Sequence, residues 1–250
     1  MKPLDELTKK NLQKIKLIVF DLDGVLVPRG TKIKQVGNKT SIEIKKIGER
    51  QIEQIKKLNK LGFKINISSG RGLYMLQEMF RDVLPFVSLT YENGSATWFK
   101  GKIFQHVNSF NEIKDVFGEL KKIKHKEIKG FEPKEFIITI HCKKRIKKIE
   151  ETVNKYKKLY WIWNNEAYDI GIRKVQTKAR GLRKIMETFK LKKKNVLAIG
   201  DNYNDKELLE EVEIAVSADK SRLKGDFYVA LKGKFLPADL LIQKILKENN

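Results

Sequence analysis

The feature that most constrains this chain is a set of short apolar runs that break off abruptly into polar residues. Leu17-Ile18-Val19-Phe20 runs into Asp21-Leu22-Asp23-Gly24. Phe63-Lys64-Ile65-Asn66-Ile67 runs into Ser68-Ser69-Gly70-Arg71, and Val196-Leu197-Ala198-Ile199 into Gly200-Asp201. Amphipathic stretches lie between them, at 49–61, 73–83, 179–189 and 206–212. Apolar runs of this length, separated by helical patterns, are strands covered on both faces. The pattern predicts an α/β fold with a doubly wound, mostly parallel sheet, and further strands at 212–216 and 227–231.

The segment 105–167 breaks this rhythm. Two lysine-rich helical patterns, 109–126 and 143–158, alternate with strand patterns at 136–140 and 159–163. It has no catalytic-looking cluster and reads as a small α+β insert, with the chain rejoining the main sheet at 168–172. The expected division is therefore 1–104 core, 105–167 insert and 168–250 core. The stretch from Gly30 to Ile47 is long for a strand-to-helix loop and predicts an extended hairpin near the end of the first strand.

Charge and composition exclude some functions. The formal charge is +22, but the lysines are spread along the chain and form no basic arm. That reads as a solvated surface with a general attraction for anions. No aromatic–basic interleaving of a nucleic-acid binder occurs, so nucleic acid is not expected as a partner. Cys142 is the only cysteine, which excludes an internal disulfide and a thiolate metal cluster. It reads as a half-buried spectator. The first residues lack the apolar core of a signal peptide, and no run of about 18 apolar residues occurs. A cytoplasmic protein with no membrane partner is expected. His106, His125 and His141 have no metal-ligand spacing and read as packing or surface residues. Trp161 and Trp163 share a strand face and also read as packing.

In an open parallel sheet, ligands bind at the carboxyl ends of the strands. The fold reading thus brings Asp21, Asp23, Ser69 and Asp201 to one edge. Converging carboxylates repel one another unless a cation sits among them. Oxygen donors without nearby histidine or cysteine favour Mg²⁺. A hydroxyl beside glycine, with free backbone N–H groups, suits phosphate oxygens. Together these are the parts that phosphoryl transfer requires.

Four stretches, in order, resemble the motifs of the haloacid dehalogenase (HAD) superfamily phosphatases. Asp21-Leu22-Asp23-Gly24-Val25-Leu26 is similar to the first motif, with Val25 in place of the usual threonine. Ile67-Ser68-Ser69-Gly70-Arg71 resembles the second, and Lys178-Ala179-Arg180-Gly181-Leu182 the third, with its small residues differently placed. Gly200-Asp201-Asn202-Tyr203-Asn204-Asp205 resembles the fourth. Tyr91-Glu92-Asn93-Gly94-Ser95 is similar to a run in the Cof-like branch, and the compact insert is similar to caps of archaeal phosphoglycolate-phosphatase-like proteins, set between the second and third motifs.

The resemblance implies roles for the matching positions. Asp21 would be the nucleophile and Asp23 the general acid and base. Ser69, Gly70, Lys178 and Asn204 would form the phosphate-binding set. Asp21, the Asp23 carbonyl and Asp201 would bind Mg²⁺, with Asp205 supporting the metal shell. Lys174 and Arg180 compete with Lys178 for the third-motif role, and the spacing to Leu182 favours Lys178. Arg71 is expected to pair with the Glu92-Asn93-Gly94 turn. The implied activity is hydrolysis of a small phosphorylated metabolite, of the phosphoglycolate or sugar-phosphate type, through an aspartyl-phosphate. A phosphomutase on the same site is the alternative within enzymes, and a nucleic-acid-binding protein on a HAD scaffold the alternative of another class. A homodimer is admissible.

Overall fold

The computed structural model describes residues 1–37, 39–230 and 234–249. Among them, nine strands form the main sheet in the order Lys2–Pro3, Phe227–Tyr228, Ile214–Ser217, Val196–Gly200, Leu17–Phe20, Lys64–Ser68, Val87–Tyr91, Ala96–Phe99, Lys102–Gln105. All pairings are parallel except the last two, which are antiparallel. The expected strands at 212–216 and 227–231 appear as Ile214–Ser217 and Phe227–Tyr228; Leu231 lies outside the described residues.

Leu17–Phe20 is central because its side chains are apolar on both faces. Ile18 and Phe20 enter one core cluster with Ile65, Ile67, Leu197 and Ile199. Leu17 and Val19 enter a second with Leu182, Ile185, Val196 and Ala198. A strand that alternates apolar residues between two cores must have helices over both faces. Its register sets Val19 beside Ala198 on one side and Asn66 on the other. The segments that follow these three strands therefore leave the sheet side by side.

The helix Lys178–Phe189 starts at Thr177, whose side chain accepts a hydrogen bond from the Arg180 backbone N–H. Its first turn packs on the 92–95 turn through two glycines. A Cβ on Gly94 would lie 2.3 Å from the Thr177 carbonyl oxygen, and one on Gly181 would lie 2.7 Å from the Gly94 Cα. Gly94 also has φ +82°, a region that L side chains rarely adopt. These glycines let the helix N-terminus approach closely enough to deliver Lys178. Gly94→Ala is expected to lower stability by about 2–4 kcal/mol, from backbone strain and overpacking together. Denaturant unfolding checks this; a midpoint equal to wild type would show that the contact is slack.

The insert holds a separate antiparallel sheet in the order Leu159–Trp163, Ala167–Ile172, Ile138–Cys142, Ile128–Glu132. Helices Phe110–Lys121 and Lys147–Asn154 cover it, with Val116, Leu120, Ile140, Ile149, Tyr168 and Ile170 in its core. This corrects the expected return to the main sheet at 168–172. Ala167–Ile172 pairs with Ile138–Cys142 on one side and Leu159–Trp163 on the other, so the boundary at 167/168 cuts through an insert strand. Its alternating Tyr168 and Ile170 fill the insert core, and the main sheet has no place for it. The strand Ile128–Glu132 was also not anticipated, because its sequence, Ile-Lys-Gly-Phe-Glu, lacks a clear apolar face.

The hairpin expected between Gly30 and Ile47 is present as Ile33–Val36 paired with Lys39–Ile42. It leans on the insert: the Phe131 backbone N–H donates to Gln35 Oε1 at 3.1 Å.

Candidate active site

Asp21, Asp23, Ser69, Gly70, Lys178, Asp201 and Asn204 line one chamber of about 190 Å³ at the carboxyl edge of the sheet. Asp205 lies just behind it, fully buried. Asp21, Asp201 and Asp205 each place a carboxylate oxygen within 4.8 Å of the others. Lys178 Nζ donates to Asp21 Oδ1 and to Asp205 Oδ1, both at 2.6 Å. Of the three cations weighed for the third motif, Lys178 is the one that bridges these acids. The second Asp205 oxygen accepts the backbone N–H groups of Asp201 and Asn202 at 3.1 and 3.2 Å. Asp205 thus fixes both Lys178 and the Asp201 loop.

Burial raises the pKa of Asp21 well above the usual carboxylate range; Asp205 and Asp201 add to the rise, and Lys178 opposes it. Asp201 is raised too, first by burial and then by Asp205, against Arg29. Lys178 is raised despite its burial, because Asp205 and Asp21 hold its proton. Three buried carboxylates face two cations, Lys178 between Asp21 and Asp205 and Arg29 at Asp201, which leaves one negative charge in excess. A divalent cation among all-oxygen donors suits that excess, and Asp21, Asp201 and Asp205 are the residues that could hold it.

Ser69 Oγ accepts the Arg71 backbone N–H at 3.1 Å and lines the chamber, whereas Ser68 does not. Ser69 is not the cap of the following helix, which starts at Gly72. Asn204 reaches the chamber with its buried Oδ1 unpartnered. Gly70 contributes backbone, and its carbonyl accepts a hydrogen bond from Lys134 Nζ at 2.8 Å.

Arg71 departs from expectation. Its guanidinium clasps Asp23 through Nε at 2.8 Å and Nη2 at 2.6 Å, and Nη2 also reaches Thr31 Oγ1 at 2.9 Å. Burial works against its charge, but the bonds to Asp23 outweigh that and raise its pKa. Only its carbonyl meets the 92–94 turn, accepting the Glu92 N–H at 3.1 Å. The Glu92 carboxylate takes three backbone N–H groups of the insert instead, from Glu135, Phe136 and Ile137 at 3.0, 2.6 and 3.0 Å. Glu92 pins the insert to the core, and Arg71 orients Asp23.

Two further features were missed in the sequence. Arg29 holds Asp201 through Nε to Oδ2 at 2.5 Å and Nη2 to the Asp201 carbonyl at 3.1 Å; a lone loop arginine carries no periodic signal. The insert also has the polar cluster that it was expected to lack: Glu132, Lys134, Thr139, His141 and Asp169 all line the chamber. The Lys134 side chain is buried and also donates to Thr139 Oγ1 at 2.6 Å. His141, read as packing, meets Glu132 through Nε2 at 2.8 Å. Burial alone would raise the Glu132 pKa; Lys134, His141 and Arg71 outweigh it and bring it down to about 2. Thr139 and His141 alternate with Ile138 and Ile140, so the polar face was visible as a period-2 pattern.

The remaining singled-out residues are structural. Trp161 and Trp163 pack on Tyr168 with ring centroids 5.9 and 4.8 Å apart. Cys142 is buried, more so than expected, and burial pushes its thiol up to about 12. Burial, with Lys184 and Arg180 nearby, brings the His106 pKa down to about 4, and His125 is exposed. Among the described residues no helix is long and apolar enough to cross a membrane.

Comparison with known proteins gives the same assignment. The profile of the haloacid dehalogenase-like hydrolases matches residues 18–129 and 105–222. Phosphoglycolate phosphatase 1 of Saccharolobus solfataricus is 25% identical over 213 residues, covering 84% of this chain and 86% of that protein. A phosphatase of the HAD superfamily from Bacteroides thetaiotaomicron superposes with a TM-score of 0.68 at 16% identity, covering 98% of each chain. A protein of Geobacillus kaustophilus also gives 0.68, at 21% identity, covering 93% of this chain and 99% of that one. With most of its length matched and the acidic site at the expected edge, the chain belongs to the haloacid dehalogenase-like hydrolases.

Proposed function

We propose that the protein hydrolyses a small phosphate monoester in two steps, with Asp21 as nucleophile and Mg²⁺ as the resident cation. The observation that carries this reading is the Lys178 bridge between Asp21 and Asp205, with Asp201 alongside. It aims one Asp21 oxygen and leaves the other for phosphorus. In the first step that oxygen bonds to phosphorus while the ester P–O bond breaks, and the leaving oxygen takes a proton from Asp23, which gives up one of its two bonds to Arg71 to carry it. In the second, Asp23 takes a proton from water as the water oxygen bonds to phosphorus and the bond to Asp21 breaks. One acid–base group serves both halves, which is worth roughly 10²–10⁴ in rate. Ser69, the Gly70 backbone and Lys178 hold phosphoryl oxygens, and Asn204 stands beside them. Arg71 keeps Asp23 in one rotamer, as its paired bonds support.

Mg²⁺ suits the oxygen donors Asp21, Asp201 and the Asp23 carbonyl, with Asp205 behind them, and when bound supplies positive charge to the phosphoryl oxygens. Removing the metal with a chelator is expected to cut phosphate release by about 10²-fold or more, and adding Mg²⁺ back should restore it. Undiminished turnover in the chelated enzyme would contradict a metal-dependent site.

A further inference from the structure

The chamber has two walls of different character. On the core side, each cation already has acids matched to it: Lys178 has Asp21 and Asp205, Arg71 has Asp23, and Arg29 has Asp201. On the insert side, three acids, Glu132, Glu166 and Asp169, accompany one lysine, Lys134. Lys134 lies 3.5 Å from Glu132 and 3.7 Å from Asp169, and donates to Gly70 and Thr139. Two of its three protons go to Gly70 and Thr139, and its charge is shared between the Glu132 and Asp169 carboxylates.

Acceptors, in contrast, are in surplus. Glu132 Oε1 and His141 Nδ1 are buried without hydrogen-bond partners. His141 Nε2 is the ring nitrogen that meets the Glu132 carboxylate, so Nδ1 is the one left open. Glu166 spends one oxygen on the Thr31 N–H, and Asp169 spends one on the Thr139 hydroxyl. Hydroxyl groups would donate to such a wall. A carboxylate would bring more acceptors and a like charge into a partly desolvated space, where repulsion is strong.

Resting on the phosphatase reading, we propose that the insert-side wall selects phosphate esters with a neutral, hydroxyl-bearing leaving group over esters whose leaving group carries a carboxylate. Glu132, Glu166 and Asp169 set this preference.

Glycerol phosphate and phosphoglycerate form a matched pair that exchanges a terminal CH₂OH for a carboxylate. Their kcat/KM values are to be compared in the full-length enzyme with Mg²⁺, with p-nitrophenyl phosphate as a substrate that lacks both groups. Glycerol phosphate is expected to be preferred by about 10²-fold. Asp169→Asn and Glu166→Gln should each narrow that ratio by roughly 5–10-fold, by improving turnover of phosphoglycerate. A ratio near one, a reversed ratio, or a ratio unmoved in both variants, with p-nitrophenyl phosphate still hydrolysed, overturns the selectivity and leaves the phosphatase reading standing. Failure of the folded, Mg²⁺-supplied enzyme to release phosphate from any of the three overturns both.

Discussion

Asp21→Asn is expected to abolish phosphate release, with a loss on the order of 10⁴–10⁶, while the protein stays folded. The amide cannot form the covalent bond to phosphorus, so the two-step route closes instead of slowing. Fold retention follows from the same geometry. Asp21 is 5% exposed and crowded by Asp201 and Asp205, and its pKa is raised by burial and by those neighbours. A neutral isostere removes that repulsion, and Lys178 keeps Asp205 as a partner. In metal-free buffer the variant should therefore unfold at the same temperature as wild type or higher. Asp205→Asn should be far less damaging to turnover, because it weakens the support of Lys178 and Asp201 but spares the nucleophile. Turnover by Asp21→Asn within tenfold of wild type would remove the covalent mechanism.

Lys178→Met is expected to damage both turnover and stability. Lys178 is 3% exposed, and its ammonium is the shared partner of two buried carboxylates. Its removal strands those charges, and breaking a buried pair from one side costs about 3–5 kcal/mol. The cost should shrink when Mg²⁺ is added, since a cation bound to the same acids supplies charge that Lys178 no longer provides. Thermal unfolding with and without Mg²⁺ reads this directly. A variant as stable as wild type without metal would mean that Asp21 and Asp205 are not charged together around Lys178. A loss of stability that Mg²⁺ leaves unchanged would separate the lysine from the cation site.

The acidic edge was legible because Asp21, Asp23, Ser69 and Asp201 each follow an abrupt change from apolar run to polar break, and that change marks the end of a buried parallel strand, whereas Lys178 opens a helix and was placed only by its motif. The fate of Tyr168–Ile172 was not legible for the complementary reason. An alternating strand declares a buried face but not which sheet holds it, and that is set by Ile138–Cys142 and Leu159–Trp163 as partners. The polar chamber wall was legible only at Thr139 and His141, which alternate on one strand; its other members arrive singly, from Glu132 on a second strand, Lys134 on a loop and Asp169 on a third. Only the cross-strand register, which sets Thr139 beside both Glu132 and Asp169, assembles them. Arg71 was placed near the correct turn but given the wrong partner. Its backbone meets Glu92, while a side chain of its length reaches across to Asp23.

The most direct measurement is to quench the enzyme during turnover, digest it and locate the phosphoryl group by mass spectrometry. If Asp21 attacks phosphorus, the label sits on the carboxylate of the peptide containing that residue, and it is absent from the same peptide of Asp21→Asn. Steady hydrolysis with no phosphorylated peptide at the quench, or with the label on a different side chain, would contradict the assignment of Asp21 as nucleophile.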